Sequence, residues 1–229
     1  MSGRSAQLVL PISVNPGATW GHWVSREATR EVENFAQHLL AQNEPGLFLW
    51  ASEGQGKSHL LQACCAAQAA ARYVPVKSLL DYPPDAVLEN AEKEAMVVID
   101  DIHLLEGNRP WQEAVFHCFN RCAGEGTPFI ASATQSPAGL NRMLADLQSR
   151  LSLLTTFKLP AWELDDFERL LSHLAHDRGL KLSDEVTRYL TIRIQRRPLD
   201  AVNVISTIDE STLVEKRSPT IPFLKLLDL

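Results

Sequence analysis

The sequence lacks three features that mark familiar classes of protein: a long apolar run, an excess of positive charge, and cysteines at metal-binding spacing. Its 229 residues contain no apolar run near the ~18–20 residues that cross a bilayer, and no secretory signal stands at the N-terminus. The 28 acidic residues outnumber the 22 basic ones, so the net charge of −6 provides no overall field that attracts nucleic acid. We therefore expect a cytoplasmic protein with no membrane partner and no sequence-specific DNA binding of its own.

Cysteine is scarce, with four residues in the chain. Cys64 and Cys65 are adjacent, and Cys118 and Cys122 are one helical turn apart, so neither pair has the C-x-x-C spacing of a zinc or redox site. We interpret all four as small apolar side chains in a reducing compartment, and we predict no structural metal.

Short apolar runs, which predict buried strands, alternate with amphipathic helical patterns up to about residue 160. The predicted strands are Leu47–Trp50, Tyr73–Val76, Ala95–Ile99, Phe129–Ala133 and Thr155–Leu159. Only helical patterns follow Pro160. The predicted fold is an α/β core at residues 17–160, with a parallel sheet flanked by helices, followed by a small all-α lid domain at residues 161–229. Residues 1–16 are predicted to form a flexible arm.

A glycine-rich loop separates the first predicted strand from the helix that follows it. The loop ends Gly54–Ser58 (GQGKS), and a helix that begins there directs backbone N–H groups and its positive dipole end at a bound phosphate. Lys57 would reach the β- and γ-phosphates, and the Ser58 hydroxyl would hold Mg²⁺. The full pattern has glycine seven positions before Ser58, where this chain has Ala51, a residue that a strand end tolerates.

The third predicted strand ends in two carboxylates, Asp100 and Asp101, about 43 residues after Lys57. An aspartate at the end of such a strand holds Mg²⁺ in nucleotide sites of this type. Ser58 and Asp100 are therefore the predicted metal-binding groups. Together the two motifs predict a P-loop nucleotide-binding protein.

In these motifs and in others, the sequence resembles the AAA+ class, within it the DnaA-related family, and within that family the short Hda branch. The segments around Lys57 (GKSHLL) and Asp100 (IDDIHLL) resemble nucleotide motifs that the whole family shares. Four further segments are similar to the Hda branch: Gln7–Pro11, Leu49–Ala51, Asp146–Leu151 and Thr220–Phe223. The resemblance covers nearly the whole chain.

The resemblance gives the N-terminal arm a partner. An extended segment with Leu8 and Leu10 can dock in an apolar groove, where each buried leucine contributes roughly 1.5–3 kcal/mol. In the Hda branch the pentapeptide similar to Gln7, Leu8, Val9, Leu10 and Pro11 binds the sliding clamp, the β subunit of DNA polymerase III. The resemblance therefore implies that the protein contacts DNA indirectly, through the clamp. The alternative is an edge strand on the protein's own sheet.

The resemblance also gives Arg150 a role. In the family, the arginine of the Asp146–Leu151 pattern acts in trans on a neighbour's ATP, and arginine fingers accelerate hydrolysis by about 10³–10⁵. Here Arg150 would act on ATP bound to DnaA. The alternative is a surface or salt-bridged arginine.

The remaining elements of the implied nucleotide site are less regular. Ser132 or Thr134 could sense the phosphate. Leu199 stands where the family's lid has an arginine. Either Arg196 or Arg197 could substitute for that arginine, or the contact could be lost, and Arg197 is the one included in the predicted site.

Trp20 and Val24, with Trp23 beside them, resemble the segment that walls the base. The alternative is that the tryptophans are ordinary core residues near a domain entrance. The predicted ligand is ADP or ATP with Mg²⁺. Its predicted site consists of Gly54, Gln55, Gly56, Lys57, Ser58, His59, Asp100, Asp101, Ser132, Trp20, Val24 and Arg197.

The function that the resemblance implies is negative regulation of replication initiation, at the replisome and nucleoid, through inactivation of DnaA. The chain would then be no enzyme in its own right, although weak ATP hydrolysis and self-association are compatible with it. An autonomous AAA+ ATPase, such as a helicase loader or an initiator-like motor, is the alternative. Leu199 and the lack of a recognisable water-activating glutamate after Asp100 argue against that alternative. A scaffold that binds nucleotide and activates nothing is the third possibility.

Overall fold

A computed structural model describes residues 15–39, 41, 44–68, 70–215 and 218–229. The chain divides into two compact units. The first unit consists of the described part of Met1–Trp23 with Thr29–Ser52 and Lys57–Leu159. The second unit consists of Val24–Ala28, Glu53–Gly56 and Pro160–Leu229. The segments Val24–Ala28 and Glu53–Gly56 thus join the range that the sequence predicts as a lid.

The first unit contains a parallel sheet of five strands, in the order β2-β3-β4-β1-β5, which confirms the predicted parallel sheet. The strands are β1 Gly46–Trp50, β2 Arg72–Pro75, β3 Val97–Asp100, β4 Phe129–Ala133 and β5 Thr155–Lys158. Residues of β1 alternate between two apolar clusters, since Leu47 and Leu49 belong to one and Phe48 to the other. This alternation is expected when helices cover both faces of a sheet.

Helices supply the other side of each cluster. The helices of this unit are α1 Arg30–His38, α2 Lys57–Ala66, α3 Val76–Leu79, α4 Pro84–Val87, α5 Arg109–Glu125 and α6 Ala145–Leu151. The first two pack on one face and the other four on the opposite face. The longest, α5, begins where the Asn108 side chain accepts a hydrogen bond from Trp111 N at 3.4 Å, and it ends at Gly126 with φ +74°.

The start of β1 depends on a glycine. Gly46 has φ +148°, and it pairs with Phe129 at the start of β4. A Cβ at Gly46 would lie 1.8 Å from the Phe129 carbonyl oxygen, so only glycine lets the two strands approach here.

The second unit is helical in its described residues, as predicted for the C-terminal region. Its helices are α7 Leu164–Asp177, α8 Asp184–Arg193, α9 Pro198–Glu215 and α10 Ile221–Leu226. Ser183 caps α8 by accepting a hydrogen bond from Val186 N at 3.3 Å. Inward-facing side chains such as Phe167, Leu190 and Ile205 form an apolar core of its own.

A buried arginine, which the sequence patterns did not reveal, ties two segments of the second unit together. Arg26 is 2% exposed, and its guanidinium donates to Pro160 O at 3.1 Å and to Ala161 O at 3.0 Å. The same guanidinium lies 4.1 Å from the ring centroid of Trp162. Arg26 therefore combines charged hydrogen bonds with a cation–π contact.

All four cysteines are free. Burial raises the pKa of the Cys64 and Cys65 thiols to about 12, so both are protonated at neutral pH. Among the described helices, none combines the length and the apolar character needed to cross a membrane.

Candidate nucleotide-binding site

The lysine of the predicted phosphate loop folds back on the loop itself. Lys57 is the first residue of α2 and is 5% exposed. Its Nζ donates to Ala51 O at 3.0 Å and to Ser52 O at 3.2 Å. These acceptors are neutral, and a phosphate oxygen would form a stronger, charge-assisted hydrogen bond with the ammonium group.

The glycines of the loop adopt backbone angles that other residues avoid. Gly54 has φ +77° and Gly56 has φ +99°. Gly54 also touches Arg197 of the same unit, because a Cβ at Gly54 would lie 3.3 Å from Arg197 Cδ. The guanidinium of Arg197 pairs with Asp200 through Nε–Oδ2 and Nη2–Oδ1, at 2.5 and 2.9 Å. The hydrogen bonds to Asp200 raise the pKa of Arg197, which stays charged.

Of the two arginines that could serve in place of Leu199, Arg197 is therefore the one whose side chain lies against the phosphate loop. Arg196 is exposed, and the Leu199 side chain is 53% exposed. The sequence could not distinguish the two arginines, because only the turn before α9 decides which of them faces the loop.

A cavity of about 690 Å³ lies within the second unit, and its walls include Gln55, Trp162, Ile192 and Arg197. This volume is in the range of small-molecule sites. Two buried atoms on the wall, Gln55 Oε1 and Trp162 Nε1, have no hydrogen-bond partner in the described part of the chain. The first is a hydrogen-bond acceptor and the second a donor.

The two carboxylates at the end of β3 have different surroundings. Asp100 is the last residue of β3 and is 4% exposed. Its Oδ2 accepts from the Tyr73 hydroxyl at 2.7 Å, and its Oδ1 accepts from the Ser132 hydroxyl. Asp101 follows with φ +57°, and its N–H donates to Ser132 Oγ at 2.8 Å. His103 lies beside it, with Nδ1 4.0 Å from Asp101 Oδ1.

The structure places Ser132 as a partner of the β3 carboxylates. Its side chain is fully buried, and its hydroxyl both donates to Asp100 and accepts from the Asp101 backbone. Thr134, the other residue considered for phosphate sensing, is half-buried.

Tyr73 and Gln62 belong to this site, and the sequence patterns did not reveal them. In the parallel register of β2 and β3, Tyr73 pairs with Val98, so its side chain shares a face with Asp100 two residues further on. Gln62 of α2 packs on that face and donates from Nε2 to the Tyr73 hydroxyl at 3.0 Å. A tyrosine in an apolar strand next to the strand that carries Asp100 was the only available signal.

The donor set fits Mg²⁺. Hydroxyl and carboxylate oxygens are the ligands that Mg²⁺ prefers, and it keeps several water molecules when bound. Within the part of the chain that the structure describes, each Asp100 oxygen accepts one hydrogen bond, which leaves a lone pair on each for a metal-bound water. Ser58 would supply the hydroxyl and Asp100 the carboxylate. No cluster of three or more His, Cys, Asp or Glu side chains suited to a metal occurs in the described ranges.

An aromatic group lies near the start of α2. The His59 ring meets Trp23 edge to face, with centroids 5.5 Å apart, and Trp23 meets Trp20 at 6.4 Å. Burial lowers the pKa of His59, whose Nε2 lies 3.3 Å from Thr19 O. Trp23 thus contacts both Trp20 and His59, whereas Val24 packs on the apolar core of the second unit.

Arg150 lies in the last turn of α6 and is exposed. Its guanidinium has no hydrogen-bond or ion-pair partner within the described residues, so it is available to another molecule. The predicted clamp-binding residues Gln7–Pro11 lie outside the described residues.

A parallel sheet in this strand order, with a glycine loop after β1, carboxylates at the end of β3 and a helical C-terminal region, defines a P-loop protein of the AAA+ class. The family "Hda, lid domain" matches residues 165–227, and "Bacterial DnaA ATPase domain" matches residues 74–157. The chain belongs to the Hda- and DnaA-related family of AAA+ proteins. This confirms the family and the fold class predicted from the sequence motifs.

Comparisons with individual proteins give one relative that aligns over nearly the whole chain and several solved structures that share the fold. A Haemophilus influenzae protein, described as uncharacterized, is 33% identical over 224 residues, which is 96% of each chain. Domain III of Thermotoga maritima DnaA has a TM-score of 0.81 at 18% identity, covering 92% of this chain and 95% of that chain. AMPPCP-bound DnaA from Aquifex aeolicus has a TM-score of 0.74 at 19% identity, covering 85% and 66%.

Proposed function

We propose that this protein is a negative regulator of DNA replication initiation that supplies Arg150 to ATP bound by DnaA. In this proposal the arginine neutralises charge that develops on the transferred phosphoryl group, and DnaA is converted to its ADP form. The regulator itself carries ADP or ATP with Mg²⁺, and it acts on its partner's nucleotide more than on its own.

The observation that carries the proposal is the state of Arg150. A long cationic side chain that is exposed and has no partner in the described part of the chain contributes little to the stability of its own fold. The guanidinium of Arg150 is therefore accessible to a second molecule. Membership of the Hda- and DnaA-related family supports DnaA as that molecule.

The arm would provide the tether. In the proposal, Leu8 and Leu10 anchor the protein on the sliding clamp, so that its contact with DNA is indirect. The protein would then act at the replisome and nucleoid, in the cytoplasm. A tether of this kind raises the effective concentration of Arg150 near DnaA without any new contact. Self-association of the chain would compete with this state.

The test follows labelled ATP bound to DnaA in the presence of this protein, ADP and clamp-loaded DNA. Arg150→Ala should reduce the stimulated hydrolysis on the order of 10³-fold. Arg109→Ala is the matched control, because Arg109 is also exposed and makes a surface ion pair with Glu113 at 2.7 Å. Equal stimulation by Arg150→Ala and wild type would refute the role of Arg150.

A triple change of Gln7, Leu8 and Leu10 to alanine tests the tether separately. It should abolish clamp binding and the dependence of hydrolysis on the clamp, while Arg150 remains intact. Retained clamp affinity would refute the arm assignment and leave the proposal for Arg150 standing.

An autonomous ATPase is the second candidate, and a specific observation favours it. Lys57, Ser58 and Asp100 are all present, and the two hydroxyl donors leave Asp100 able to bind metal-bound water. This candidate predicts steady hydrolysis of free ATP by the protein alone, lost in Lys57→Ala and unaffected by Arg150→Ala at low protein concentration. The regulator proposal predicts instead that ATP hydrolysis is stimulated only when DnaA is present.

A further inference from the structure

The Asp100 carboxylate is held from both sides. The Tyr73 hydroxyl donates to one oxygen from β2, and the Ser132 hydroxyl donates to the other from β4. These are the strands on either side of β3 in the sheet. Donors on both sides fix the rotation of a carboxylate that a single donor would leave free to turn.

Tyr73 is in turn held by a chain of hydrogen bonds with a defined direction. The backbone N–H of Asn15 can only donate, and it donates to Gln62 Oε1 at 2.8 Å. This fixes the amide, whose Nε2 must then donate to the Tyr73 hydroxyl at 3.0 Å. Because that hydroxyl accepts from Gln62, its single proton is available for Asp100 at 2.7 Å.

We propose that Tyr73, oriented by Gln62, is a positioning residue for the Mg²⁺ that accompanies the nucleotide, and that it acts by fixing the Asp100 carboxylate. The inference rests on the nucleotide-binding part of the proposed function and is independent of Arg150. Partners that orient a metal-binding carboxylate typically account for 10–100-fold in metal affinity. The Tyr73 hydroxyl should therefore matter for nucleotide binding with Mg²⁺ and matter little without it.

The experiment measures the Kd of ADP by calorimetry, once with saturating Mg²⁺ and once with EDTA. The quantity of interest is the ratio of the two Kd values, because a general loss of structure would weaken both. Tyr73→Phe should reduce the Mg²⁺-dependent gain in affinity about tenfold, with little change in EDTA. Gln62→Leu should act in the same direction to a smaller extent, since the tyrosine remains but is free to turn.

Tyr189→Phe is a matched control. Like the Tyr73 hydroxyl, the Tyr189 hydroxyl is both an acceptor and a donor. It accepts a hydrogen bond from Arg193 Nη1 at 3.1 Å and donates one to Leu229 O at 2.9 Å. The change removes the same atom from the second unit, so its Kd ratio should equal that of wild type. Melting temperatures of all variants show that each is folded under the conditions of binding.

A double-mutant cycle with Asp100→Asn completes the test. If Tyr73 acts through Asp100, adding Tyr73→Phe to Asp100→Asn should leave the Kd ratio unchanged. An unchanged ratio in Tyr73→Phe alone, or an equal further loss in the double variant, would overturn the inference. A wild-type protein that binds ADP equally with Mg²⁺ and EDTA would instead contradict the metal site of the proposed function.

Discussion

Replacing Arg26 by methionine removes a buried guanidinium and retains most of its volume. Two hydrogen bonds, to Pro160 O and Ala161 O, and the contact with the Trp162 ring are lost. A hydrogen bond from a charged donor contributes about 1.5–3 kcal/mol, and a desolvated cation–π contact about 2 kcal/mol. Because such terms are not additive, we expect a loss of about 4 kcal/mol in the free energy of unfolding. At about 2–4 °C per kcal/mol, Tm should fall by roughly 8–16 °C.

Urea unfolding followed by circular dichroism measures this loss, and two controls sharpen it. Arg26→Lys keeps the charge but lacks the planar fork that reaches two carbonyl groups, so it should lie between wild type and Arg26→Met. Arg169→Ala removes a largely exposed partner of Asp166 and should cost less than about 1 kcal/mol. If Arg26→Met unfolds within about 1 kcal/mol of wild type, the reasoning from burial is wrong.

Two further predictions concern the first unit. Gly46→Ala should lower the free energy of unfolding by more than about 3 kcal/mol, since its Cβ would collide with Phe129 O. The control is Gly124→Ala in α5, where a Cβ meets no atom within 4 Å, and this change should be neutral or stabilising. Equal effects of the two changes on the free energy of unfolding would contradict the prediction for Gly46. Burial holds the pKa of His59 below 6.5, so the unfolded ring binds protons more readily and stability should fall as pH drops below that value. His59→Gln should remove part of this slope in unfolding measured at several pH values, and an unchanged slope would refute the assignment.

The strands could be predicted because each is encoded locally. A run such as Phe129–Ala133 is apolar throughout, and a strand buried on both faces needs no other signal. The glycine loop and Asp100 were predictable for the same reason, since their motifs are contiguous in the chain. The β3 strand begins at Val97, two residues after the predicted start at Ala95, and Asp100 is its last residue.

Contacts that depend on register or on distant segments could not be predicted. Tyr73 reaches Asp100 only because β2 and β3 pair with Tyr73 opposite Val98. Arg26 finds its carbonyl acceptors 134 and 135 residues away, with no pattern linking them. Hydrophobic periodicity reports which face of an element is buried, and it carries no information on which polar groups meet there.

The second unit is assembled from pieces of chain that are synthesised at very different times. At about 5–20 residues per second, Arg26 leaves the ribosome roughly 7–27 s before its acceptor Ala161. The segment Glu53–Gly56 is likewise synthesised long before Arg197, the residue against which Gly54 packs. The sheet of the first unit, by contrast, is complete once Leu159 has been made. The phosphate loop therefore gains its final packing late in translation. A chain whose synthesis stalls before Arg197 contains all five strands of the sheet but lacks the side chain that packs against Gly54.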